Sequence, residues 1–483
     1  MGLFTKKEMK KSLTEHQECS VEEIVPPVLS SELSCGAKVS NSGLGKFFKF
    51  WVIPTLLILI VPPFNIILSY MTTELPSSKP RALLDSFAEN GFWKTIWDAI
   101  WPNILGTKAS WNFFSCFCLI ALLIYFYPGP VAYGPLTETG HRPEYTDNGV
   151  AHLVLFSALF FLGSYGLELY EPTIIFDVFH PFLASLSLFG LIFFIFITIK
   201  GVYFPSTSDG GKPGHSRFMF LFFAGTELYP RVGGVDLKKF INCRISMTFW
   251  MLSGWSFFAK SLELHDSVDF GLLFCTISTS IYLIKFFMWE IGYMRSIDIV
   301  MDYYGFMEGY GCVCFVPALY TLHMRCSVIT PSGLPSWLAI IFFITSLSGV
   351  IVNYWADQQR KIFREKNGNV KIFGKPARAV NVQYSVLDPL TGISSVKTTK
   401  LLASGFWGIA RHFQYVFELI AAWSWGLLGG FKKGLLPFFY PIFLTILLIH
   451  RAFRDEQKCL KKYGDGYREY MKIVKYRILP GIY

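Results

Sequence analysis

The 483-residue chain has few charged residues, and this scarcity excludes an ordinary water-soluble globular protein. Only 16% of its residues are Asp, Glu, Lys or Arg, whereas soluble proteins carry about a quarter. Hydrophobic residues make up 52% of the chain and aromatic residues 18%. Because so few charges remain to cover a surface that faces water, the composition predicts a membrane protein.

The common sequence motifs of soluble enzymes are also absent. No G-x-G-x-x-G turn follows a strand pattern, and the chain has no P-loop, H-E-x-x-H or G-x-S-x-G motif. Its ten cysteines include two C-x-C pairs, Cys116 with Cys118 and Cys312 with Cys314, which lie in apolar runs. We interpret both pairs as helix-packing residues, so the sequence predicts no metal site and no disulfide framework.

Apolar runs recur along the chain at lengths near the about 20 residues that cross a hydrocarbon core as a helix. Seven runs are clear: Trp51–Ser69, Phe113–Tyr127, Leu153–Tyr170, Pro181–Ile199, Phe270–Trp289, Trp337–Trp355 and Leu436–Ile449. Three are weaker: Ile245–Leu262, Tyr310–His323 and Tyr415–Phe431. Together they predict an all-α polytopic membrane protein with about ten transmembrane helices.

Orientation follows from the positions of Lys and Arg, which collect on the cytosolic side of membrane proteins. Residues 357–411 hold ten Lys or Arg against three acids, and residues 200–244 and the tail after His450 are also basic. Ten spans place these three segments and both termini on one side. The sequence therefore predicts that this side and both termini are cytosolic.

Three regions are expected along the chain. Residues 1–47 form a polar cytosolic tail, residues 48–355 a transmembrane bundle, and residues 356–483 a cytosolic loop followed by C-terminal helices. Within the bundle, three Trp share one helical face between residues 90 and 105, which is typical of a helix lying on the bilayer surface. For Asn367–Ser395, alternating residues and turn formers fit a small β element, and an irregular loop fits equally well.

Ionisable residues inside a membrane are costly and are candidates for function. Lys285 and Glu290 lie in or beside an apolar run, and Asp298 and Asp302 follow just beyond it. Snorkelling explains Lys285 as well as function does. For the acidic cluster we favour a functional role.

The C-terminal half holds three basic helix ends, and their convergence would build a pocket for an anion with several phosphates. A polybasic patch that binds anionic lipid is the alternative for the last of them. The basic residues are Arg360 and Arg364, Arg411 and His412, and Arg454, Lys458, Lys461 and Lys462. Trp407, Tyr415 and Tyr463 lie close to them in sequence and could hold flat rings.

Three C-terminal segments together resemble the signature of the sterol reductase family. They read "LLASGFWGIARHFQY", "LLPFFYPIFLTILLIHRAFRDEQKCLKKYG" and "YRILPGIY", and "EYTDNG" and "GTELYPRVG" extend the resemblance over most of the chain. The family comprises C-14, C-7 and C-24(28) reductases and the lamin B receptor. Details such as "NCRISM" are most similar to the C-7 branch, although Met301 and Gln414 replace residues usual in the family.

The resemblance implies NADPH as cofactor, bound without a Rossmann fold at the cytosolic ends of the last helices. It also implies reduction of a ring double bond, above all the C7–C8 bond of a 5,7-diene sterol such as 7-dehydrocholesterol. Carried over by position, together with the basic residues Arg411 and His412, the cofactor residues would be Arg360, Arg364, Leu402, Trp407, Arg411, His412, Gln414, Tyr415, Asp455, Cys459, Lys462, Tyr463 and Tyr470.

The chemistry adds a hydride and a proton across a C=C bond, so a proton donor is needed. Tyr282 and Glu290 are the candidate acids, and Asp455 would relay protons or contact the cofactor. Glu227, Asp298 and Asp302 are assigned to the substrate pocket. The substrate would enter from the lipid of an endoplasmic-reticulum-type membrane, and no nucleic acid partner is expected.

Other functions remain open at this point. Within the family, C-14 or C-24(28) reduction is the alternative. The R-H-x-x-Y and K-Y-G patterns also resemble isoprenylcysteine methyltransferases, which are much shorter and use S-adenosylmethionine. A non-catalytic sterol-binding scaffold is the third alternative, for which 47 polar N-terminal residues are few.

Overall fold

The computed structural model describes residues 45, 47–137, 140–207, 218–387 and 394–482. Apart from residues 45 and 47, the predicted polar tail lies outside this part of the chain. The described residues are mostly helical. The α-helices are α1 (Ile53–Thr73), α2 (Pro80–Asn90), α3 (Phe92–Ile100), α4 (Lys108–Tyr125), α5 (Gly149–Phe161), α6 (Ile174–Asp177), α7 (Phe179–Tyr203), α8 (Phe218–Ala224), α9 (Thr248–His265), α10 (Phe270–Met288), α11 (Glu290–Tyr293), α12 (Ile297–Met301), α13 (Leu322–Ile329), α14 (Ser336–Glu365), α15 (Phe406–Ile409), α16 (Gln414–Leu428), α17 (Phe439–Tyr463) and α18 (Asp465–Ile473).

Seven helical segments are long and apolar enough to cross a membrane, and they coincide with the seven clear apolar runs. They are Phe50–Thr73, Lys108–Tyr125, Gly149–Gly166, Phe179–Tyr203, Phe270–Met288, Ser336–Glu365 and Leu436–Tyr463. This confirms a polytopic α-helical membrane protein.

The three weaker runs are helical but differ from full spans, so the described residues contain seven candidate spans, or eight, rather than ten. Helix α9 carries charged residues such as Lys260 and Glu263 toward its end, and α16 has only 15 residues. The third run lies in the π-helix Phe306–Tyr320, which bends by 41° into α13 and counts as one span only with it. The cytosolic position of both termini therefore stays a prediction that depends on charge alone.

Two π-wound segments pack against each other beside the bundle centre. They are Lys239–Met247, which runs into α9, and Phe306–Tyr320. Such windings are rare and are frequent at functional sites. Here they turn polar side chains of both segments toward one another: Asn242 Nδ2 donates to Glu308 Oε1 at 2.7 Å.

The region after α14 contains the predicted β element. Strands β7 (Ala379–Leu387) and β8 (Ser394–Leu402) pair antiparallel, with Ala379 opposite Leu402. A smaller hairpin of β5 (Lys371–Ile372) and β6 (Lys375–Pro376) precedes them, and two more short pairs, β1 (Val131–Tyr133) with β2 (Glu144–Thr146) and β3 (Arg231–Val232) with β4 (Val235–Asp236), lie in earlier loops. Strand β7 packs on α17 and α18, so the hairpin lies beside the C-terminal helices.

The predicted interfacial segment is helical and forms α2, α3 and a short 3₁₀ turn. Trp93, Trp97 and Trp101 are all exposed, while Thr95 and Ala99 on the other side of α3 are buried. Trp97 stacks on Trp101 with ring centroids 4.6 Å apart. An exposed Trp face suits the headgroup region of a bilayer, where aromatic rings are preferred.

Candidate active site

A single large cavity runs between α1, α10, the Phe306–Tyr320 π-helix, α14, α16 and α17. Its volume is about 1550 Å³, which exceeds the roughly 300–1,000 Å³ of most single-ligand pockets. One wall is basic and the opposite wall is apolar and aromatic. The cavity therefore has room for two ligands of different polarity.

The basic end of the cavity is built by α14 and α17. Arg360 and Arg364 lie one turn apart on α14, and Lys458 and Lys462 lie one turn apart on α17, all lining the cavity. Within the described residues, none of the four has a carboxylate within 4 Å. The Arg360 guanidinium lies 4.2 Å from the centre of the Trp407 ring. Unpaired cations gathered on one wall favour an anionic ligand.

Two neutral polar groups adjoin the basic end. His412 Nε2 and Gln414 Oε1 are buried and lack a hydrogen-bond partner among the described residues, and both side chains line the cavity. The His412 ring stacks on Tyr415 at 5.1 Å. Burial lowers the pKa of His412, although the nearby Asp455 carboxylate opposes this shift, so the imidazole is neutral at pH 7. These groups are free to bind a polar ligand.

The structure brings together nine of the thirteen residues predicted for the cofactor. The nine that line the cavity are Arg360, Arg364, His412, Gln414, Tyr415, Asp455, Cys459, Lys462 and Tyr463. The remaining four, Leu402, Trp407, Arg411 and Tyr470, are buried behind this wall. Arg411 pairs with Glu456 at 2.8 Å and donates to the Val474 carbonyl, and Trp407 Nε1 donates to the Ala356 carbonyl at 2.8 Å. These contacts support the lining residues rather than a ligand directly.

A tyrosine–carboxylate pair lines the cavity. The Tyr282 hydroxyl on α10 donates to Glu418 Oε1 on α16 at 2.7 Å. Aromatic rings surround Tyr282: Trp425 lies 5.3 Å and Trp250 5.9 Å from its ring centre. The pair combines a hydroxyl proton with an adjacent carboxylate in an aromatic cavity. Such an arrangement can deliver a proton to an apolar ligand.

Sequence reasoning assigned a catalytic role to Glu290, and its surroundings argue against that role. Its carboxylate is buried and accepts hydrogen bonds from both terminal nitrogens of Arg244, one at 2.7 Å, and Lys239 lies 4.0 Å away. Glu290 is absent from the described cavity lining. Both oxygens of Glu290 are thus engaged by Arg244, so neither is placed to reach a ligand in the cavity. Asn148 completes the cluster by accepting from Arg244 at 2.7 Å.

We therefore expect Glu290→Gln to act on stability rather than on chemistry. The substitution leaves Arg244 buried without its counter-charge, which costs about 3–5 kcal/mol in comparable buried pairs. The detergent-solubilised variant should unfold at a lower temperature and accumulate to a lower level. Turnover per folded molecule should stay close to that of the unchanged protein. A normal melting temperature with strongly reduced turnover would instead restore Glu290 as the catalytic acid.

Of the three acids assigned to the substrate pocket, two line the cavity and one does not. Asp298 and Asp302 line the cavity, where they pair with Arg451 and Arg454 of α17. Glu227 does not line it: its buried carboxylate accepts from Lys200 Nζ at 2.8 Å. We therefore no longer assign Glu227 to the substrate pocket. Its ion pair with Lys200 connects α7 to the loop before β3. The Met301 side chain, like Glu227, is absent from the described lining.

One side of the cavity is lined by apolar side chains of α1 and α17. These are Ile53, Leu57, Val61, Phe443 and Leu447. Ile53 and Leu57 remain exposed on the helix surface, in a segment long and apolar enough to span a membrane. An apolar ligand can therefore reach the cavity along this surface.

Sequence reasoning missed two carboxylates of the cavity, Glu418 and Glu308. Both stand in apolar stretches, "FELIAAW" and "FMEGYGC", so the cost of an ionisable residue in a membrane was an available signal. The sequence interpretation included only the acids near Lys285, so both carboxylates were missed. The third missed residue, Arg451, lies within the quoted C-terminal signature.

Comparison with known proteins places these features in a family. Residues 53–483 match the model of the "Ergosterol biosynthesis ERG4/ERG24 family". The chain is 36% identical over 429 residues to a 7-dehydrocholesterol reductase of Arabidopsis thaliana, covering 88% of this chain and 96% of that protein. It is 32% identical to a 7-dehydrocholesterol reductase of Xenopus laevis, covering 83% and 85%. Identity is also 32% to a Delta(14)-sterol reductase of Methylotuvimicrobium alcaliphilum, covering 83% and 87%. A multi-helix membrane protein with a basic and aromatic cavity, matched over nearly its whole length in this way, belongs to the ERG4/ERG24 family of sterol reductases.

Proposed function

We infer that the protein uses NADPH to reduce the C7–C8 double bond of a 5,7-diene sterol such as 7-dehydrocholesterol. The observation that carries this function is the cavity itself. Its basic end suits a nucleotide, its aromatic residues suit a sterol, and the Tyr282–Glu418 pair lines the same cavity. The names of the Arabidopsis and Xenopus relatives support the C7 position.

The residues of the basic end fit NADPH. Arg360 and Arg364 would hold phosphate groups, since guanidinium binds phosphate oxygens in pairs, and Lys458 and Lys462 add charge on the facing helix. The unpartnered Gln414 Oε1 would accept a hydrogen bond from the carboxamide of the cofactor. NADPH, when bound, supplies the hydride.

The Tyr282–Glu418 pair supplies the proton in the proposed reaction. The Tyr282 hydroxyl gives its proton to one carbon of the C7–C8 bond, which leaves an allylic cation stabilised by the remaining double bond. NADPH bound at the basic end would supply the hydride for the second C–H bond, so one proton and one hydride would be consumed per bond reduced. A proton from water, relayed through Glu418, then restores the Tyr282 hydroxyl. The Trp250 and Trp425 rings beside Tyr282 tolerate the positive charge.

The arrangement of the cavity also supports a route for the sterol and an orientation of the protein in its membrane. The sterol enters from the bilayer along the apolar surface of α1 and α17, while the basic end faces the cytosol, where NADPH is present. Basic residues of the 357–411 segment support this orientation. We propose an endoplasmic-reticulum-type membrane with cytosolic termini.

Reduction of a C-14 double bond is the second candidate. The relative from Methylotuvimicrobium, named a Delta(14)-sterol reductase, is as similar to this chain as the Xenopus protein. The two reactions need the same proton and hydride and differ in how the sterol lies in the cavity. Membership of the family sets aside the methyltransferase alternative.

Cofactor choice tests the proposal at the basic end. NADPH differs from NADH by one phosphate, which two Arg one turn apart would bind. We expect membranes containing the protein to reduce 7-dehydrocholesterol with NADPH at a KM at least about tenfold below that for NADH, because one charge-assisted contact has about that value. Equal KM values for both cofactors would contradict the assignment of this wall.

A further inference from the structure

Six cavity-lining side chains in the described part of the chain carry a buried polar atom without a hydrogen-bond partner. The atoms are Trp250 Nε1, Ser296 Oγ, Glu308 Oε2, His412 Nε2, Gln414 Oε1 and Arg454 Nε. Leaving a charged group unsatisfied costs more than leaving a neutral one. Arg454 already pairs with Asp302 at 2.5 Å, and His412 Nε2 lies 3.5 Å from an Asp455 oxygen. The unpartnered oxygen of Glu308 is therefore the strongest candidate to accept a hydrogen bond from a ligand.

The surroundings of Glu308 leave that oxygen free. Its Oε1 accepts from Asn242 Nδ2 at 2.7 Å. The nearby Lys238 ammonium donates instead to backbone carbonyls, that of Ile299 at 2.9 Å and that of Asp302. The Tyr293 hydroxyl, also on the cavity wall, accepts from Asn242 at 3.3 Å. Glu308 and Tyr293 thus both line the cavity, and Asn242 Nδ2 donates to both of them.

Apolar and aromatic side chains surround this polar pair. On the same wall lie Phe306, Met307, Tyr310, Met247 and Phe223. The basic end of the cavity is built from other elements, α14 and α17. A ligand that suits this wall is therefore an apolar molecule with one hydroxyl group.

One helix connects the surroundings of Glu308 with those of the proposed proton donor. Asn242, which holds Glu308, and Trp250, which packs on Tyr282, lie on one continuous helix from Lys239 to His265. Their eight-residue separation corresponds to about 12 Å at most, at roughly 1.5 Å per residue. Side chains reaching inward from these two points can bracket a ring-A hydroxyl and a ring-B double bond.

We propose that Glu308 is a specificity residue that accepts a hydrogen bond from the 3-hydroxyl group of the sterol, with Tyr293 donating to the same oxygen. The proposal rests on the proposed function for the identity of the ligand. It adds a subsite for the hydroxyl group, and this contact sets the depth at which the sterol binds in the cavity. The double bond presented to Tyr282 then depends on this contact.

Equilibrium binding tests the subsite without requiring turnover. The dissociation constants of 7-dehydrocholesterol and of its 3-deoxy analogue are measured with the full-length solubilised protein. The unchanged protein should bind the hydroxylated sterol about tenfold more tightly, near the upper value for one hydrogen bond. Glu308→Leu should abolish this preference while binding the 3-deoxy analogue as before. An unchanged preference in Glu308→Leu would overturn the proposal, as would no preference in the unchanged protein.

Two further variants keep the result interpretable. Glu308→Gln can retain the bond from Asn242 through its amide oxygen and should fold. Its NH2 group then replaces the free oxygen and cannot accept a hydrogen bond, so the preference should fall several-fold. Cys312→Ala, one turn away on the same wall, should keep the full preference. Full preference in Glu308→Gln would overturn the subsite even if the leucine variant fails to fold. Normal hydroxyl preference without any sterol reduction would contradict the proposed function alone.

Discussion

Tyr282→Phe should reduce sterol turnover by about 10²–10⁴-fold, the range for loss of a positioned general acid. The substitution removes one oxygen and keeps the ring among Trp250 and Trp425. Because Tyr282 carries no charge and its ring is kept, binding of NADPH should change by less than about twofold. The loss is measured as the initial rate at which the ultraviolet absorbance of 7-dehydrocholesterol disappears.

Tyr440→Phe is the matched control for this variant. Tyr440 also lines the cavity and packs on Trp250 at 5.7 Å, and its hydroxyl has no hydrogen bond to any other described side chain. We expect its turnover to stay within a few-fold of the unchanged protein. Glu418→Gln should slow turnover as well, since it removes the carboxylate that returns the proton. If Tyr282→Phe retained more than about a third of the activity, the proton would have to come from another group, with Asp455 as the next candidate.

Arg364→Ala should raise the KM for NADPH by about tenfold to a hundredfold and leave the KM for NADH nearly unchanged. The guanidinium lines the cavity without a described carboxylate partner, so its charge is free for a phosphate. Steady-state kinetics with both cofactors measure the effect, which should appear in KM rather than in kcat.

Lys366→Ala is the control for a general loss of positive charge. Lys366 follows α14 directly but lies outside the described cavity lining. Its removal should leave both KM values unchanged. If Arg364→Ala raised the KM for NADH by the same factor, this residue would not bind the phosphate that distinguishes NADPH from NADH.

The membrane-spanning helices were predictable because hydropathy is a local property of the chain. All seven clear apolar runs became helices of spanning length. The three weaker runs failed the same test for local reasons, such as Lys260 in α9 and the bend before α13. Alternating residues also predicted the β7–β8 hairpin as a small β element, although the same residues fitted an irregular loop equally well.

The roles of ionisable residues were less predictable, because pairing across the fold decides them. Glu290 and Glu418 both stand beside apolar stretches, and the sequence contains no sign that Glu290 meets Arg244, 46 residues away. Nor does it signal that Glu418 meets Tyr282, 136 residues away. The basic end was easier to predict, since the spacing of Arg360 and Arg364 on one helix is local. Resemblance to the family supplied most of the remaining cofactor residues, but it could not separate lining residues from supporting ones such as Trp407.

The central claim is that this cavity reduces the C7–C8 bond of a sterol, and sterol analysis tests it most directly. Membranes containing the protein are incubated with NADPH and 7-dehydrocholesterol, and the sterols are identified by mass spectrometry alongside the diene absorbance. We expect cholesterol to accumulate as the diene absorbance falls, and neither change with membranes carrying Tyr282→Phe. Persistence of the diene while a C-14 or C-24(28) double bond is reduced in parallel incubations would contradict the C7 assignment. Failure to reduce any sterol would contradict the enzyme itself and favour a non-catalytic sterol-binding scaffold.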